Sequence, residues 1–274
     1  MKFSSGDFIQ LCKENGLYAF GDIKELLKGA DSSGIANTIR ESKEIPKSHT
    51  TILSALYKGG AFLACDRRVS MGSMISGDQF NKIALLDKHT AMGFSGVVFI
   101  ADSMAHFLTD TFYNMFKRND GVPIPLDAKI QIVTGFIQSL FPLLSAGLVV
   151  APIVTSYDAK KKMCRILNID PVGYITDATA DGFASAGSGG FGLGAAPRQL
   201  VDAGWNPAES SREESLKKLA YLFCAAFDVD SGSGATFYRG IYPLFYDVSE
   251  DGIKEVSKNE ITEVFNNLNL KQGS

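Results

Sequence analysis

The sequence predicts an α+β fold, and three observations predict it. Short apolar strand runs joined by glycine turns open at residue 50, two long helical patterns follow in succession, and strand runs return after them. Strands grouped before and after a pair of helices suit a helical layer laid over a sheet. With 274 residues the chain can bury one large core. No linker divides it, so the expectation is one domain, residues 50–274, behind an N-terminal extension, residues 1–49.

Taken in order, residues 1–49 mix short amphipathic pieces, Asp7–Lys13 and Asp22–Lys28, with glycines and a polar run from Glu41 to His49. Such a stretch fits an extension that orders against a partner, or an ordinary helical subdomain. Strands at Ile52–Leu56 and Ala61–Cys65 then form a hairpin over Lys58-Gly59-Gly60, whose glycines supply positive φ. The charges that follow, Asp66-Arg67-Arg68, read on spacing alone as a salt-bridged loop. Gly72 to Gly77 is a small-residue turn, Asn81–Leu86 a strand, and Thr90–Ser95 its partner, ending in Gly96.

From Ile100 to Arg118 apolar residues recur at helical spacing, and a second helix covers Leu126 to Leu144 with Ile130, Val133, Ile137 and Leu140 on one face. Strands return at Gly147–Ser156, Cys164–Ile169 and Gly173–Ala178. Gly187-Ser188-Gly189-Gly190-Phe191-Gly192 matches the dinucleotide-binding spacing, but it comes late, and Pro197 and Trp205 stand where a continuous helix is needed. A nucleotide role is rejected. Serine followed three positions later by glutamate, within Ser210-Ser211-Arg212-Glu213-Glu214, is a capping box opening a helix to about Phe227. Asp228–Gly234 is a polar, flexible loop, Phe237–Val248 contains the last long strand, and Asn259–Leu268 closes with a short helix.

Composition excludes several classes. A formal net charge of −3 leaves no electrostatic footprint for nucleic acid. The four cysteines, Cys12, Cys65, Cys164 and Cys224, form no Cys-x-x-Cys pair, so neither a zinc knuckle nor a redox motif is readable. The most apolar stretch, Leu140 to Val154, is too short for a bilayer and holds Pro142 and Pro152, and the N-terminus has no apolar signal core. No membrane span is expected, and a reducing cytoplasm fits.

Thr50-Thr51-Ile52, Gly59-Gly60, Asp66-Arg67-Arg68, then Gly72-x-Met74-Ile75-Ser76 and Lys82 resemble the mature start of a proteasome β subunit of the bacterial, actinobacterial type. The motifs stand in the family's order and separations, up to about the last twenty residues. The resemblance implies the N-terminal-nucleophile hydrolase fold, a four-layer αββα sandwich. It also implies that residues 1–49 are a propeptide removed autocatalytically, freeing Thr50 as the nucleophile of a threonine endopeptidase that needs no metal or organic cofactor. Implied partners are further copies in homo-oligomeric β rings, α-type subunits as gates, a ring ATPase activator and unfolded protein substrates.

An internal threonine hydroxyl is a poor nucleophile without a base beside it. Once Thr50 is first in the chain, its own α-amine, with an ordinary pKa of about 7.7–8.0, can fill that role. By resemblance, Asp66 holds the catalytic Lys82, Lys82 stabilises the threonine oxygen, Arg68 supports the cluster, and Gly96 aims its N–H at the developing oxyanion. Ser188, Asp230 and Ser233 match the network around the threonine amine. Val69, Phe80, Ala84, Phe94 and Val98 would line the pocket for the residue before the cut bond, predicting cleavage after apolar residues. Plain core packing explains them equally well. Ser70 replaces a threonine whose backbone pairs with the substrate strand. Two departures stand out: His49 replaces the family's glycine before the nucleophile, crowding the turn in which Thr50 attacks, and Val97 replaces a small residue beside Gly96. The rivals are an unprocessed, structural β-type subunit and a smaller HslV-type peptidase with an ATPase partner.

Overall fold

In the computed structural model the described residues are 47–71, 74–144 and 148–268. The pieces Asp7–Lys13 and Asp22–Lys28, the polar run up to residue 46, Cys12 and the tail after residue 268 lie outside them.

The strands are β1 Lys47–Ser48, β2 Ile52–Tyr57, β3 Gly60–Cys65, β4 Val69–Met71, β5 Met74–Gly77, β6 Ile83–Asp87, β7 Thr90–Val97, β8 Val150–Asp158, β9 Met163–Ile169, β10 Ile175–Asp177, β11 Phe183–Ala186, β12 Leu244–Ser249 and β13 Gly252–Glu255. The helices are α1 Val98–Arg118, α2 Leu126–Ser139, α3 Phe141–Leu144, α4 Gly187–Gly192, α5 Ala196–Asp202, α6 Arg212–Val229 and α7 Lys258–Asn267, with a 3-10 turn at Phe237–Arg239.

Two antiparallel sheets form the centre. One runs β11-β2-β3-β12-β13; in the other β7 carries β8, β9 and β10 on one side, with β6 and β1 end to end on its other edge. Their layering follows from which residues each face buries. Ile52, Leu56, Leu63 and Cys65 of the first sheet meet Ile83, Ala91, Ile153 and Ile166 of the second in a cluster between the sheets. The opposite face of the first sheet, with Leu53, Ala55, Phe62 and Phe245, packs on Leu216, Leu219 and Phe223 of α6 and on Ile261 and Phe265 of α7. Met92, Phe94, Val150 and Val154 of the second sheet pack on Met104 and Leu108 of α1 and Val133 and Ile137 of α2. The order is therefore helix, sheet, sheet, helix. Strands β2 and β3 are buried on both faces, which is why their sequences run apolar without alternation.

One buried cation steadies the helical side. Lys129, on the inner face of α2, reaches Asp87 Oδ2 at 2.6 Å and donates to Thr90 Oγ1 at 2.9 Å, pinning α2 to the β6–β7 hairpin.

Several elements differ from expectation. The second long helix stops at Ser139 and α3 follows separately, as Pro142 brings no backbone N–H to continue the first helix. Of the small-residue turn expected from Gly72 to Gly77, Gly72 and Ser73 lie outside the described residues, and Met74–Gly77 is strand β5, paired with β4. The expected strand at Gly147–Ser156 is β8, shifted to Val150–Asp158, and that at Gly173–Ala178 shrinks to β10. Strands β11 and β13 had no counterpart in the expectation, and Phe237 begins a 3-10 turn ahead of β12. Ser211 is the N-cap of α6, its hydroxyl accepting from the Glu214 N–H at 3.1 Å. Among the described residues, no helix is long and apolar enough to cross a membrane.

Candidate active site

Five element ends converge where the two sheets meet. Thr50 and Thr51 lead into β2 and Asp66 ends β3, all in the first sheet's connections; Lys82 leads into β6 of the second; Ser188 opens α4; and Asp230 closes α6. Thr50, Thr51, Asp66 and Lys82 are buried to within one per cent.

The centre is the pair Lys82 Nζ to Asp66 Oδ1 at 2.7 Å. Asp66 also accepts from the backbone N–H groups of Thr51 at 2.8 Å and Arg68 at 3.0 Å. Burial pushes its carboxyl above the ordinary value, against the pull of Lys82 and of these donors. A second bond from Lys82 Nζ, 2.9 Å long, goes to the carbonyl oxygen of His49, the group on the far side of the His49–Thr50 peptide bond. Arg68 ties this pair to the next loop, its guanidinium donating to Ser231 O at 3.1 Å and Ser233 O at 3.2 Å.

On the other side of Thr50 lies a carboxylate relay. The Thr50 N–H donates to Ser188 Oγ at 3.1 Å, and Ser188 Oγ donates to Asp230 Oδ2 at 2.6 Å. Ser233 Oγ donates to the same oxygen at 2.7 Å and the Gly232 N–H to Oδ1 at 3.0 Å. Burial works to raise the Asp230 carboxyl, but the hydrogen bonds from Ser188, Ser233 and Gly232, with the nearby His49 ring, outweigh it and hold it below its ordinary value. Of the flexible loop expected at Asp228–Gly234, Asp228 and Val229 are the last residues of α6 and residues 230–234 form a tight turn, with Ser233 one per cent exposed.

Glycines set the close approaches. Gly187 has φ +82°, and a Cβ there would overlap the Thr50 carbonyl; one on Gly189 would overlap the Thr51 hydroxyl. The Gly-x-Gly run thus serves to bring α4 onto the threonines, with the Gly189 N–H donating to Thr50 O at 3.1 Å. Gly96, at φ +117°, has no room for a Cβ against the Val149 carbonyl. It pairs with Ser48 of β1, and Val97 with Lys47, so the segment before Thr50 runs antiparallel along the end of β7, with β4 beside it.

The structure therefore brings together Thr50, Asp66, Lys82, Arg68, Ser188, Asp230 and Ser233, with His49 and Gly96 alongside. The apolar candidates gather less tightly. Phe94 is buried in the core under α1, Phe80 and Ala84 pack on that core, Val69 on β4 and Val98 at the start of α1 are partly exposed, and Ser70 lies in β4. Sequence reasoning missed three participants: the Thr51 amide, the His49 carbonyl, and Gly187 with Gly189. Of these only the glycines carried a signal, their spacing, which was weighed for nucleotides alone.

Comparisons with known proteins show what the chain is similar to. The family model described as "Proteasome subunit" matches residues 47–238. "Proteasome subunit beta" of Streptomyces griseus is 28% identical over 216 residues, 78% of this chain and 74% of the relative. "Proteasome subunit beta 1" of Streptomyces avermitilis is 30% identical over 218 residues, 78% and 74% of the two chains. "Proteasome subunit beta" of Mycobacterium avium is 28% identical over 244 residues, 86% and 77%.

Proposed function

The chain belongs to the proteasome β subunit family, with its N-terminal-nucleophile hydrolase fold, and from that premise we propose that it is a threonine endopeptidase that frees its own nucleophile by cutting the His49–Thr50 bond. The observation that carries this reading is the Lys82 ammonium on the His49 carbonyl oxygen. That carbonyl is the one the Thr50 hydroxyl must attack, and a cation there stabilises the oxyanion as it forms.

Self-cleavage then runs in two steps. Thr50 Oγ bonds to the His49 carbonyl carbon, the C–N bond breaks, and the nitrogen takes up the proton that Oγ gave up, leaving an ester. Water hydrolyses the ester to a His49 carboxylate and a free Thr50 hydroxyl and amine. In the mature chain the amine, which Ser188 links to Asp230, takes the Oγ proton as Thr50 attacks a substrate carbonyl. The leaving amine carries that proton away, and the Thr50 amine next activates the water that releases the acyl group. Lys82, held by Asp66, stabilises Oγ throughout. The domain division at residue 50 belongs to the same proposal.

The assembled form would be rings of this subunit capped by α-type rings, taking unfolded proteins from a ring ATPase in a cytoplasmic setting. The exposed aromatic rings of Phe99 and Tyr113 on α1 suit subunit contacts. A second reading, an unprocessed structural subunit, is favoured by one contact: the His49 side chain fills the space above Gly232, where even a Cβ could not fit beside it.

Intact mass and N-terminal sequencing after incubation with an α-type partner separate the two. A chain beginning at Thr50, with Thr50→Ala remaining full length, is the expected result. Wild-type chain that stays full length in assembled rings would leave the structural reading in its place.

A further inference from the structure

Lys82 sits at the end of a strap. Between β5, which stops at Gly77, and β6, which starts at Ile83, residues 78–82 form neither helix nor strand. With no ladder to fix it, the strap is placed by separate attachments. Most of them are made to one neighbouring stretch: Arg67 donates to the Gln79 carbonyl at 3.2 Å, the Phe80 N–H donates back to the Arg67 carbonyl at 3.1 Å, and Lys82 ends on Asp66 at 2.7 Å. Asp78 reaches elsewhere. Its Oδ2 accepts from Thr236 Oγ1 at 3.0 Å and from the Arg239 guanidinium at 3.0 Å, partners 158 and 161 residues further along the chain.

The loop that Asp78 holds is itself fixed. Thr236 and Ile241 exchange both backbone hydrogen bonds, at 3.1 and 3.2 Å, and Gly240 takes φ +65° to close the 3-10 turn between them. The Phe237 ring lies 5.4 Å from the rings of Tyr242 and Phe265, which seats the loop on α7. Upstream of Thr236 stands Ser233, and Arg68 donates to the Ser231 and Ser233 carbonyls while its own N–H donates to Asp66. The contacts close a circuit: Asp66 to Lys82, along the strap to Asp78, across to Thr236 and Arg239, back along the chain to Ser233, and through Arg68 to Asp66 again. Every link but the one at Asp78 belongs to the site already described.

We propose that Asp78 is a positioning residue for the reaction: by tying the strap that carries Lys82 to the loop that continues from the Asp230 turn, it sets the lysine and the Ser188–Asp230 relay in register on either side of Thr50. The inference rests on the peptidase reading above. Position has large leverage on rate, since a displacement of about 1 Å at a reacting group can cost on the order of 100-fold. The Arg239 pair, with more than half of the arginine side chain exposed, contributes little to stability by itself. Opening the circuit at Asp78 therefore slows the reaction more than it loosens the fold.

The test compares the full chain, assembled with its α-type partner, as wild type, Asp78→Ala, Asp78→Asn and Ser211→Ala, the last loosening α6 at its far end. Hydrolysis of a fluorogenic model peptide, referred to the cut fraction from intact mass, and amide hydrogen exchange by mass spectrometry are read on each. Asp78→Ala is expected to lower kcat about ten-fold with KM nearly unchanged. Its amides should exchange several-fold faster both at Phe80 on the strap and at Gly232 and Ser233 in the turn. Asp78→Asn, which keeps an oxygen for the Thr236 hydroxyl, should fall between Asp78→Ala and wild type, and Ser211→Ala should keep the wild-type kcat. An unchanged kcat in Asp78→Ala, faster exchange confined to Asp78 and residues 236–239, or equal slowing by Ser211→Ala would each overturn the proposal. Should Asp78→Ala fail to assemble, Asp78→Asn decides by the same readings. Wild type that hydrolyses no peptide would refute the peptidase reading by itself; the inference would then hold if the loss at Asp78 speeds exchange in the 230–234 turn and fail if the change stays local.

Discussion

Lys82 shows how far single residues were legible. The resemblance marked it as the partner of Asp66, and Ser188, Asp230 and Ser233 were found in the same way, because their motifs stand in the family's order. The His49 carbonyl could not be found that way, since every residue has one and only the fold chooses which faces a lysine. Replacing Lys82 with alanine leaves Asp66 buried without its counter-ion, a loss of roughly 3–5 kcal/mol for a broken buried pair. Burial already pushes the Asp66 carboxyl upward. In the variant the folded chain holds that proton more tightly than the unfolded chain, so the protonated form relieves the loss in acid and the deficit grows as pH rises past the ordinary carboxylate value of about 3.9. Thermal melts should therefore show Lys82→Ala far below wild type at pH 7, with the gap narrowing toward pH 4, and intact mass should show no self-cleavage.

At the scale of elements, patterns with a clear period were readable and patterns without one were not. Helices α1, α2 and α6 emerged from apolar residues every three or four positions, and the serine before α6 with the glutamate in its first turn announced its start. Strands β11 and β13 have four residues each, too few for alternation to register. Residues 230–234 looked mobile because they are small and polar, yet the Asp230 and Ser233 side chains are what tie that turn down. The α6 cap gives a direct check: Ser211→Ala removes the acceptor for the Glu214 N–H and should cost about 1 kcal/mol, read as a lower denaturation midpoint. Because α6 ends at Asp230, fraying at its start should leave the relay intact and peptide hydrolysis nearly unchanged.

Across the whole molecule, the four layers followed from the resemblance, whereas the residues' own signal reached only to helices over a sheet. The cause is the double burial of β2 and β3, whose apolar runs do not say which face meets which layer. The same burial governs the thiols. Cys65, Cys164 and Cys224 form no disulfide and are buried, and burial lifts each thiol to about 12. Since the thiolate is the reactive form, iodoacetamide at pH 8 should leave these three unlabelled in the native chain and label all three in guanidinium, by peptide-resolved mass spectrometry. Labelling of Cys65 in the native chain would mean that the two sheets part.

The Lys82–Asp66 pair spans that same seam, with one partner on the connections of each sheet. An N–H···O hydrogen bond keeps good geometry only over a donor–acceptor range of roughly 2.7–3.2 Å. Side chains packed between the sheets, such as Ile153 and Ile166, therefore act as spacers that set the reach of this lysine. A change of one methyl group there would register as a slower reaction well before it registered as a lower melting temperature, so that the turnover rate serves as a caliper for the interior of the protein.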